Sequence, residues 1–385
     1  MSLLVPLRAC RSLVFLLAVV VLLCQPLSTR ALLPEEDGDS CASAAARPSY
    51  MHPAPPIASG LPLGFLMDDV EWNPLLDLQI ELPSRITVRT SPEFTEVPFP
   101  YAPGADLGAG IAYSQPFRLL SAAGVAKLRA AVDRDAPLRA KASERSPMVL
   151  RGLAYSSNAV RKYTEDPTLL ELFGNMAQTP VGVHPISMNI GHTNVGKEGG
   201  GYIDQWHIDS VDYVLVLIIS DITDMEGGEL QVLNVPDATG SLFDEYKAIG
   251  VPEDLVKTVS YMLPGYGIFM QGSKILHRVK GVLKGREPRI SLVSSFSSLD
   301  VFRNDSTTYH QSAHQDPEDV HPLEFARQKA WRVEGKMRYI LDECKFGTDP
   351  MHLSMVMAEA AEELMRTSKL LSREENDALS FFVGK

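Results

Sequence analysis

Downstream of residue 180, the hydrophobic positions fall into short runs separated by turns rich in glycine and proline. The run at 213–219, YVLVLII, is apolar throughout, which is typical of a strand covered on both of its faces. The turns and short strand-like segments that follow it are, in order, 226–229, 230–233, 262–267, 268–270 and 289–296. Short strands at this spacing predict a jelly roll, in which two antiparallel sheets pack face to face.

Helical patterns lie on both sides of this strand-rich segment. Asp166-Pro167, an N-cap followed by proline at the first helical position, predicts a helix over 169–176. Three further elements are expected: a strand over 85–90, a helix over 121–133 and a helical insertion over 244–256. Towards the C-terminus, apolar residues predict one face of a long helix, namely Ala326, Ala330, Val333, Met337, Ile340 and Leu341.

The chain divides into four predicted parts. Twelve of its 27 prolines fall between Pro34 and Pro103, so we expect an extended or loop-rich segment there. The parts are a leader over 1–31, a proline-rich N-terminal extension over 32–115, a strand-rich domain with a helical lead-in over 116–300, and a helical extension over 301–385. The expected fold class is therefore α+β, with a jelly-roll core and helical flanks before and after it.

The N-terminus has the features of a secretory signal peptide. Arg8 and Arg11 precede an apolar run of 12 residues at 13–24, which is shorter than the roughly 20 residues of a membrane-spanning helix. Small residues at 29–31 suit cleavage by a signal peptidase. This predicts entry into the secretory pathway or secretion, with no membrane span left after cleavage. An uncleaved signal anchor and a mitochondrial transit peptide are the alternatives.

Cysteine usage and charge narrow the class of protein and its partners. Cys10 and Cys24 would be removed with the leader, and Cys41 and Cys344 allow one disulfide at most, which the sequence leaves open. A glycosylation sequon begins at Asn304. The formal net charge of −12 and the lack of clustered lysines and arginines disfavour a nucleic-acid partner, so we expect a small-molecule substrate. The oligomeric state stays open.

A cluster of polar residues lies inside the strand-rich segment. His207 and Asp209 are two residues apart, and on a strand this spacing puts both side chains on one face. His277 lies in a later strand-like segment, 274–279. Two imidazoles and one carboxylate bind one side of an iron octahedron and leave the other positions open for substrate and oxygen. The three residues predict a metal site, against the alternative that they are unrelated polar residues.

An arginine and a serine follow this cluster. Arg289 lies 12 positions after His277, and Ser291 is on the same face of the same predicted strand. A guanidinium fork and a hydroxyl suit the distal carboxylate of a small diacid such as 2-oxoglutarate. An HxD pair alone is common by chance, whereas HxD, a distal histidine and RxS within strand-rich sequence form a specific pattern.

The segments QWHIDS, GGELQVL, LPGYGIFMQGSKILHRV and PRISLVSSF resemble the iron(II)- and 2-oxoglutarate-dependent oxygenase superfamily. Within it, the pattern is most similar to small-molecule hydroxylases and to the amino-acid halogenase-like branch. The resemblance covers roughly residues 116–299 and implies a double-stranded β-helix, the jelly-roll form of these oxygenases. The residues that it implies as iron ligands are His207, Asp209 and His277, and those that it implies as contacts of 2-oxoglutarate are Arg289 and Ser291.

The resemblance also implies a role for Asn189. The segment 187–192 corresponds in order to a strand that carries an asparagine or tyrosine facing 2-oxoglutarate in related oxygenases, and Asn189 is the matching residue. Gly191 stands where a tyrosine often lies, and a plain turn or edge position is the alternative for Asn189. By strand parity His192 lies on the opposite face, which predicts a supporting or surface role. The glycine-rich segment 194–201 predicts a flexible loop, with a lid as the alternative.

The identity of the third ligand bears on the reaction. Halogenases of that branch have a small residue in place of the carboxylate, which vacates a position for halide, whereas this chain retains Asp209. The resemblance therefore implies hydroxylation or a related oxidation, with iron(II), 2-oxoglutarate and O2 required and ascorbate as an optional reductant. A cupin-like metalloprotein that does not use 2-oxoglutarate and a non-catalytic binding module are the open alternatives. His310 and His314, four residues apart, predict a solvated helix face rather than a second metal pair.

Overall fold

The structure is a computed structural model that describes residues 47–377, apart from Ser59, 260–262 and His314. The predicted leader lies outside the described residues, as does Cys41, while Cys344 is half-buried with a free thiol. In the part of the chain that is described, no helix has the length and apolar character needed to cross a membrane.

The strands are short and lie between residues 85 and 298. They are β1 (Arg85–Arg89), β2 (Phe94–Pro98), β3 (Ile111–Ser114), β4 (Phe117–Arg118), β5 (Val149–Leu150), β6 (Val181–Val183), β7 (Ile190–Gly196), β8 (Asp204–His207), β9 (Tyr213–Ile218), β10 (Glu226–Gly227), β11 (Leu230–Leu233), β12 (Val256–Val259), β13 (Tyr266–Met270), β14 (His277–Val279), β15 (Val282–Lys284) and β16 (Arg289–Ser298).

The helices lie mainly before β6 and after β16. They are α1 (Pro74–Asp77), α2 (Ala122–Arg139), α3 (Asn158–Thr164), α4 (Pro167–Ala177), α5 (Ser241–Ile249), α6 (His310–Ala313), α7 (His321–Asp342) and α8 (Pro350–Leu371). Short 3-10 turns occur at Leu153–Tyr155, Ser187–Asn189 and Glu253–Leu255.

Two antiparallel sheets form the core. The large sheet has ten strands, of which eight run in the order β2-β1-β3-β13-β9-β16-β7-β5, while β4 pairs with β13 and β6 with β16. The small sheet has four strands in the order β12-β11-β14-β8, and β10 pairs with β15. The prediction of an α+β fold with a jelly-roll core, the double-stranded β-helix, and with helices on both sides in sequence is confirmed.

Strand β9 shows why the two sheets pack together. All six of its residues are buried, because helices cover one face of the large sheet and the small sheet covers the other. Leu215 and Leu217 pack in the cluster that holds the side chains of α2 and α4, while Val214 and Val216 pack against residues of the small sheet. The continuous apolar run in the sequence is the consequence of this two-sided burial.

Helix α4 anchors the helical layer. The Asp166 side chain accepts a hydrogen bond from the Thr168 backbone N–H at 2.9 Å, and Pro167 takes the first helical position, as predicted. This start presents Phe173 to the sheet, where its ring lies 4.7 Å from the ring of Phe269 and 5.0 Å from that of Phe296.

Several predicted boundaries agree with the structure and others differ. The helix expected over 121–133 is confirmed but continues to Arg139. The insertion expected to be helical over 244–256 is helical only to Ile249, because Gly250 adopts φ 91° and Pro252 follows. Strands β1 to β3, from the predicted N-terminal extension, join the large sheet. The predicted domain boundaries themselves stay predictions.

The buried face of α7 differs from the predicted one. Ala330 and Leu341 are exposed, and charged residues that include Arg332 and Lys336 are buried instead. Both of these cations pair with Glu363 of α8, Arg332 Nε at 2.7 Å and Lys336 Nζ at 2.6 Å. Because each buried charge has a partner, a polar face can pack against the next helix.

We predict that Phe173→Ala lowers the free energy of unfolding by about 3–5 kcal/mol, the usual loss when a fully buried phenylalanine is truncated. The measurement is the urea midpoint with an unchanged slope. Phe346→Ala is the matched control, since the Phe346 side chain is fully exposed and its removal should leave the midpoint where it was. Equal midpoints for both variants would contradict the packing described for α4.

A second prediction concerns His184, which is buried and accepts the Ile186 backbone N–H on Nδ1 at 3.1 Å. Burial lowers the pKa of His184 to about 4, with Lys329 adding to the effect and Asp305 opposing it. In the unfolded chain this histidine binds a proton below about pH 6.5, whereas in the folded protein it stays unprotonated down to about pH 4. The free energy of unfolding therefore falls as the pH drops from about 6.5 to about 4. Lowering the pH from 7 to 5 should reduce the free energy of unfolding by about 2 kcal/mol through His184. The His184→Asn variant should lose that part of the pH dependence, which urea unfolding at both pH values measures. The same change in unfolding free energy between pH 7 and pH 5 in both proteins would refute the prediction.

Candidate metal centre

The two histidines of the predicted triad lie side by side on the small sheet. His207 ends β8 and His277 begins β14, and the two residues are directly opposite each other in the antiparallel pairing. Side chains opposite each other in such a pair lie on the same face. Their ring centroids are 4.0 Å apart. Strand register therefore brings together two residues that are 70 positions apart in the sequence.

Backbone carbonyls fix which nitrogen of each ring faces the site. Nδ1 of His207 lies 2.6 Å from the Gln205 carbonyl oxygen, and Nδ1 of His277 lies 2.8 Å from the Ile275 carbonyl oxygen. A carbonyl only accepts, so Nδ1–H donates in both cases and Nε2 keeps its lone pair. This is the tautomer and orientation that a metal-binding histidine needs.

The Asp209 carboxylate completes the group. Its Oδ1 lies 3.4 Å from Nε2 of His207, and its Oδ2 lies 3.6 Å from Nε2 of His277. One ligand atom from each of the three residues lies within 4.8 Å of the other two. The structure thus brings His207, Asp209 and His277 together with their free lone pairs directed at one small space.

A glycine makes room for this carboxylate. The Asp209 backbone N–H donates to the Gly272 carbonyl at 3.0 Å, which pulls the two segments together. A Cβ on residue 272 would lie 2.0 Å from Oδ2 of Asp209, a distance that no packed structure tolerates. Gly272 therefore sets the position of the third ligand.

Electrostatics favour the metal-binding protonation states. Burial first and the nearby His207 second lower the pKa of His277 to about 4, against the opposing effect of Asp209. Burial alone would raise the pKa of Asp209, but His277 and His207 outweigh that effect and hold it well below its usual range. Near neutral pH the group therefore offers a carboxylate together with a neutral His277 imidazole.

The triad faces a cavity between the two sheets. The small sheet supplies the histidines, and the inner face of the large sheet supplies the opposite wall. The lining residues of that wall are Val214 and Val216 on β9 and Ser291, Val293 and Ser295 on β16. Alternate residues on each strand point inward, as strand geometry requires.

Arg289 lies at the start of β16 and is 1% exposed. Its Nη1 donates to the Ser291 hydroxyl at 3.2 Å, and Ser291 lines the metal cavity. Gly228 packs directly on the arginine, because a Cβ there would lie 2.7 Å from Cδ of Arg289. The two residues predicted to hold a carboxylate are thus next to each other, and one of them reaches the cavity wall.

Asn189 also lines the cavity, although it lies in a 3-10 turn and the strand begins only at Ile190. Its Oδ1 accepts from Nη2 of Arg151 at 2.6 Å, so its amide nitrogen is the group left for a ligand.

The parity argument for His192 is wrong. Gly191 adopts φ 69° and the pairing of β7 with β16 shifts at this point, which is a bulge that inserts one residue. His192 consequently lines the same cavity as Asn189. A side chain at 191 is excluded on packing grounds, because a Cβ would lie 2.8 Å from both Leu153 and Val160.

Sequence reasoning missed a chain of polar residues behind the triad. Arg151 Nη1 lies 3.5 Å from His192 Nδ1, His192 Nε2 donates to Asn194 Oδ1 at 2.9 Å, and the Asn194 amide donates to Asp204 at 3.1 Å. Asp204 in turn pairs with Arg145 Nε at 2.7 Å. Asp204, three positions before His207, was the one member that the motif could have suggested.

The similarities of this chain to known proteins lie among solved structures. No protein-family model matches the chain, and no curated protein matches it. Among solved structures, the chain is similar to the non-heme alpha-ketoglutarate-dependent epimerase SnoN from nogalamycin biosynthesis, at 16% identity over 49% of this chain and 76% of that chain, with a TM-score of 0.38. It is also similar to a Pseudomonas putida prolyl-4-hydroxylase, at 15% identity over 49% and 92%, with a TM-score of 0.35.

A third similar structure is HygX from Streptomyces hygroscopicus with nickel and 2-oxoglutarate bound, at 12% identity over 45% of this chain and 78% of that chain, with a TM-score of 0.35. At identities and TM-scores this low, the function of the chain has to be inferred from its own residues.

We predict that Gly272→Ala weakens divalent-metal binding at least tenfold, about 1.4 kcal/mol, because the new methyl group displaces the Asp209 carboxylate. The measurement is titration of the metal-free protein with iron(II) under anaerobic conditions. Gly201→Ala is the matched control, since no atom lies within 4 Å of a Cβ built there and metal binding should not change. Metal affinity equal to wild type in Gly272→Ala would show that Asp209 is not held by this contact.

Proposed function

We propose that the protein is an iron(II)- and 2-oxoglutarate-dependent dioxygenase that hydroxylates an unactivated C–H bond of a small molecule. The observation that carries this proposal is the convergence of His207, Asp209 and His277 on a cavity whose opposite wall holds Ser291, the hydroxyl to which the buried Arg289 donates. Two imidazoles and one carboxylate, with the remaining directions open to a cavity, favour non-heme iron(II).

The three side chains fit such an ion by their chemistry. Each histidine presents Nε2 and has its Nδ1–H held by a backbone carbonyl, which is the second layer of contacts that metal-binding histidines use. Asp209 retains a carboxylate at the position that is a small residue in the halogenase-like branch. A bound carboxylate occupies the place that a halide would need, which supports hydroxylation over halogen transfer.

Arg289 and Ser291 suit the distal carboxylate of 2-oxoglutarate. A guanidinium and a hydroxyl that already hydrogen-bond to each other form a prearranged pair of donors, so little side-chain freedom is lost on binding. Asn189 adds an amide N–H from the neighbouring wall, since its oxygen is engaged by Arg151. Its contribution to cosubstrate binding is therefore the weakest of the three.

When bound, iron and 2-oxoglutarate supply the activation of O2, and the balanced reaction is R–H + 2-oxoglutarate + O2 → R–OH + succinate + CO2. The chain itself binds and orients. Apolar side chains that include Val214, Val216, Leu230 and Val293 exclude water from the cavity. Ascorbate would serve as an external reductant that keeps the iron in its divalent state.

We also propose that the enzyme enters the secretory pathway. This part of the proposal rests on the predicted leader over 1–31. Asn304 of the sequon is exposed, with its Oδ1 accepting from Arg47 at 2.6 Å, so its side chain is at the surface where glycosylation takes place. An N-glycan on Asn304 in protein from a eukaryotic host would support this location.

We predict that Arg289→Ala raises the 2-oxoglutarate concentration needed for half-maximal turnover, because one buried charge-assisted anchor is lost. The cost of such a loss is roughly 2–5 kcal/mol. Iron(II) binding should stay within about threefold of wild type, since Arg289 is not one of the three metal-binding residues. The measurements are succinate formation against 2-oxoglutarate concentration and a separate anaerobic iron titration.

Arg286→Ala, three positions earlier and largely exposed, is the matched control and should change neither quantity. If turnover of Arg289→Ala depends on 2-oxoglutarate concentration as that of wild type does, Arg289 does not bind the cosubstrate. Wild-type protein that binds iron but forms no succinate would favour a cupin-like metalloprotein instead.

A further inference from the structure

The metal cavity continues into a larger cleft on the side of Arg151 and Gln315, two residues that line both spaces. The cleft has a volume of about 1110 Å³. That volume far exceeds what 2-oxoglutarate needs, and the cosubstrate anchors Arg289 and Ser291 are not among its lining residues. A second molecule that reaches the metal would therefore enter through this cleft.

Apolar side chains dominate the cleft walls. They are Leu63, Phe65, Leu138 and Met188, together with Val149 and Pro317. Leu63 is 91% exposed and Leu138 is 80% exposed, so both present almost their whole side chains to a ligand that would lie between them. Lys141 and Glu144, one charge of each sign, are exposed residues of the same cleft, and Arg139, which also lines it, pairs with Asp135 at 2.5 Å, so the charges there are largely balanced. The walls suit an apolar body.

A charged group of a ligand would be recognised in the metal cavity, which two arginines, Arg145 and Arg151, line. The two differ in how many N–H donors are left for a ligand. Arg151 has all three nitrogens engaged: Nε and Nη2 donate to the Asp316 carboxylate, Nη2 also to Asn189, and Nη1 lies 3.5 Å from Nδ1 of His192. Four of its five N–H donors are therefore engaged, so this guanidinium positions its neighbours and is a poor site for a ligand.

Arg145 has one edge of its guanidinium in use and the other free. Its Nε pairs with Asp204 at 2.7 Å, while Nη1 and Nη2 have no protein partner among the described residues. The side chain is only 12% exposed and lines the metal cavity. Its charge lowers the pKa of both Asp209 and His192, in each case behind larger contributions, so it lies near the metal ligands.

We propose that the substrate is an amphipathic carboxylate, with its carboxylate bound by the Nη1–Nη2 edge of Arg145 and its apolar chain in the cleft lined by Leu63, Phe65 and Leu138. A carboxylate matches one guanidinium edge with two parallel hydrogen bonds. The inference rests on the proposed function, because it takes the metal cavity as the place of reaction. Since Arg145 lies beside the metal ligands, the oxidised carbon is close to the carboxylate rather than at the far end of the chain.

The test uses straight-chain fatty acids from hexanoate to hexadecanoate, each paired with the alcohol of the same length as a neutral probe. Binding to the iron- and 2-oxoglutarate-loaded protein is measured anaerobically by calorimetry, so that no turnover occurs. Wild type should bind at least one acid more tightly than its alcohol. Arg145→Gln should weaken acid binding at least roughly thirtyfold, and Arg145→Lys, which keeps the charge beside Asp204 but loses the fork, at least tenfold.

Lys257→Gln is the matched control, since it removes an exposed cationic charge on β12 that lines neither the cleft nor the metal cavity, and it should change acid binding less than threefold. Leu138→Asp should weaken the acid and the alcohol alike. Iron and 2-oxoglutarate titrations of every variant separate a local effect from a damaged metal site.

The proposal is overturned if no acid in the series binds to wild type, or if the Arg145 variants bind it normally. It is equally overturned if Arg145→Gln weakens 2-oxoglutarate binding as much as Arg289→Ala does, because Arg145 would then bind the cosubstrate. In each case wild type still forms succinate from 2-oxoglutarate, so the proposed function stands. Failure of wild type to bind 2-oxoglutarate at all would instead remove the proposed function.

Discussion

The pairing of His207 with His277 across β8 and β14 is the contact on which the site depends. It fixes two imidazoles on one face of the small sheet, and the carbonyls of Gln205 and Ile275 then select the nitrogen that each ring presents. Both sets of contacts belong to the backbone. Side-chain substitutions elsewhere in the sheet therefore leave ligand orientation intact as long as the strand register holds.

Glycines do as much as the ligands to shape this centre. Gly272 leaves the space that the Asp209 carboxylate fills, Gly228 leaves the space for the Arg289 side chain, and Gly191 creates the bulge that turns His192 into the cavity. At Gly272 and Gly228 the missing Cβ lets a polar group come close, and at Gly191 it lets the bulge pack against Leu153 and Val160. Such positions are invisible to a search for reactive side chains, because the residue that matters carries none.

The sequence predicts those parts of the structure that depend on local period. The apolar run at 213–219 follows from burial on two sides, and the start of α4 from Asp166-Pro167. Alternation along one strand does not account for the HxD pair, because β8 ends at His207 and Asp209 lies beyond it, held by the Gly272 carbonyl. Parity fails at His192, since a bulge is a tertiary feature with no counterpart in a period-two pattern. The sequence pattern also fails to predict the buried face of α7, because Glu363, the partner that allows Arg332 and Lys336 to be buried, lies about 30 residues later. Arg145 and Arg151 lie in an irregular segment with no periodic pattern, so only the tertiary structure shows that they line the metal cavity.

The ion pair of Arg151 with Asp316 has a consequence for where the protein can be shortened. The strand-rich domain ends near residue 300, yet the carboxylate that neutralises an arginine in the wall of the metal cavity comes from the segment after it. A protein cut at residue 300 would keep every ligand and every strand of the jelly roll. It would also leave an unneutralised cation in the cavity wall, at one end of a hydrogen-bonded chain that leads through His192 and Asn194 to Asp204. The helical extension is thus an integral part of the unit that forms the cavity, and the smallest fragment with an intact cavity wall extends at least past Asp316.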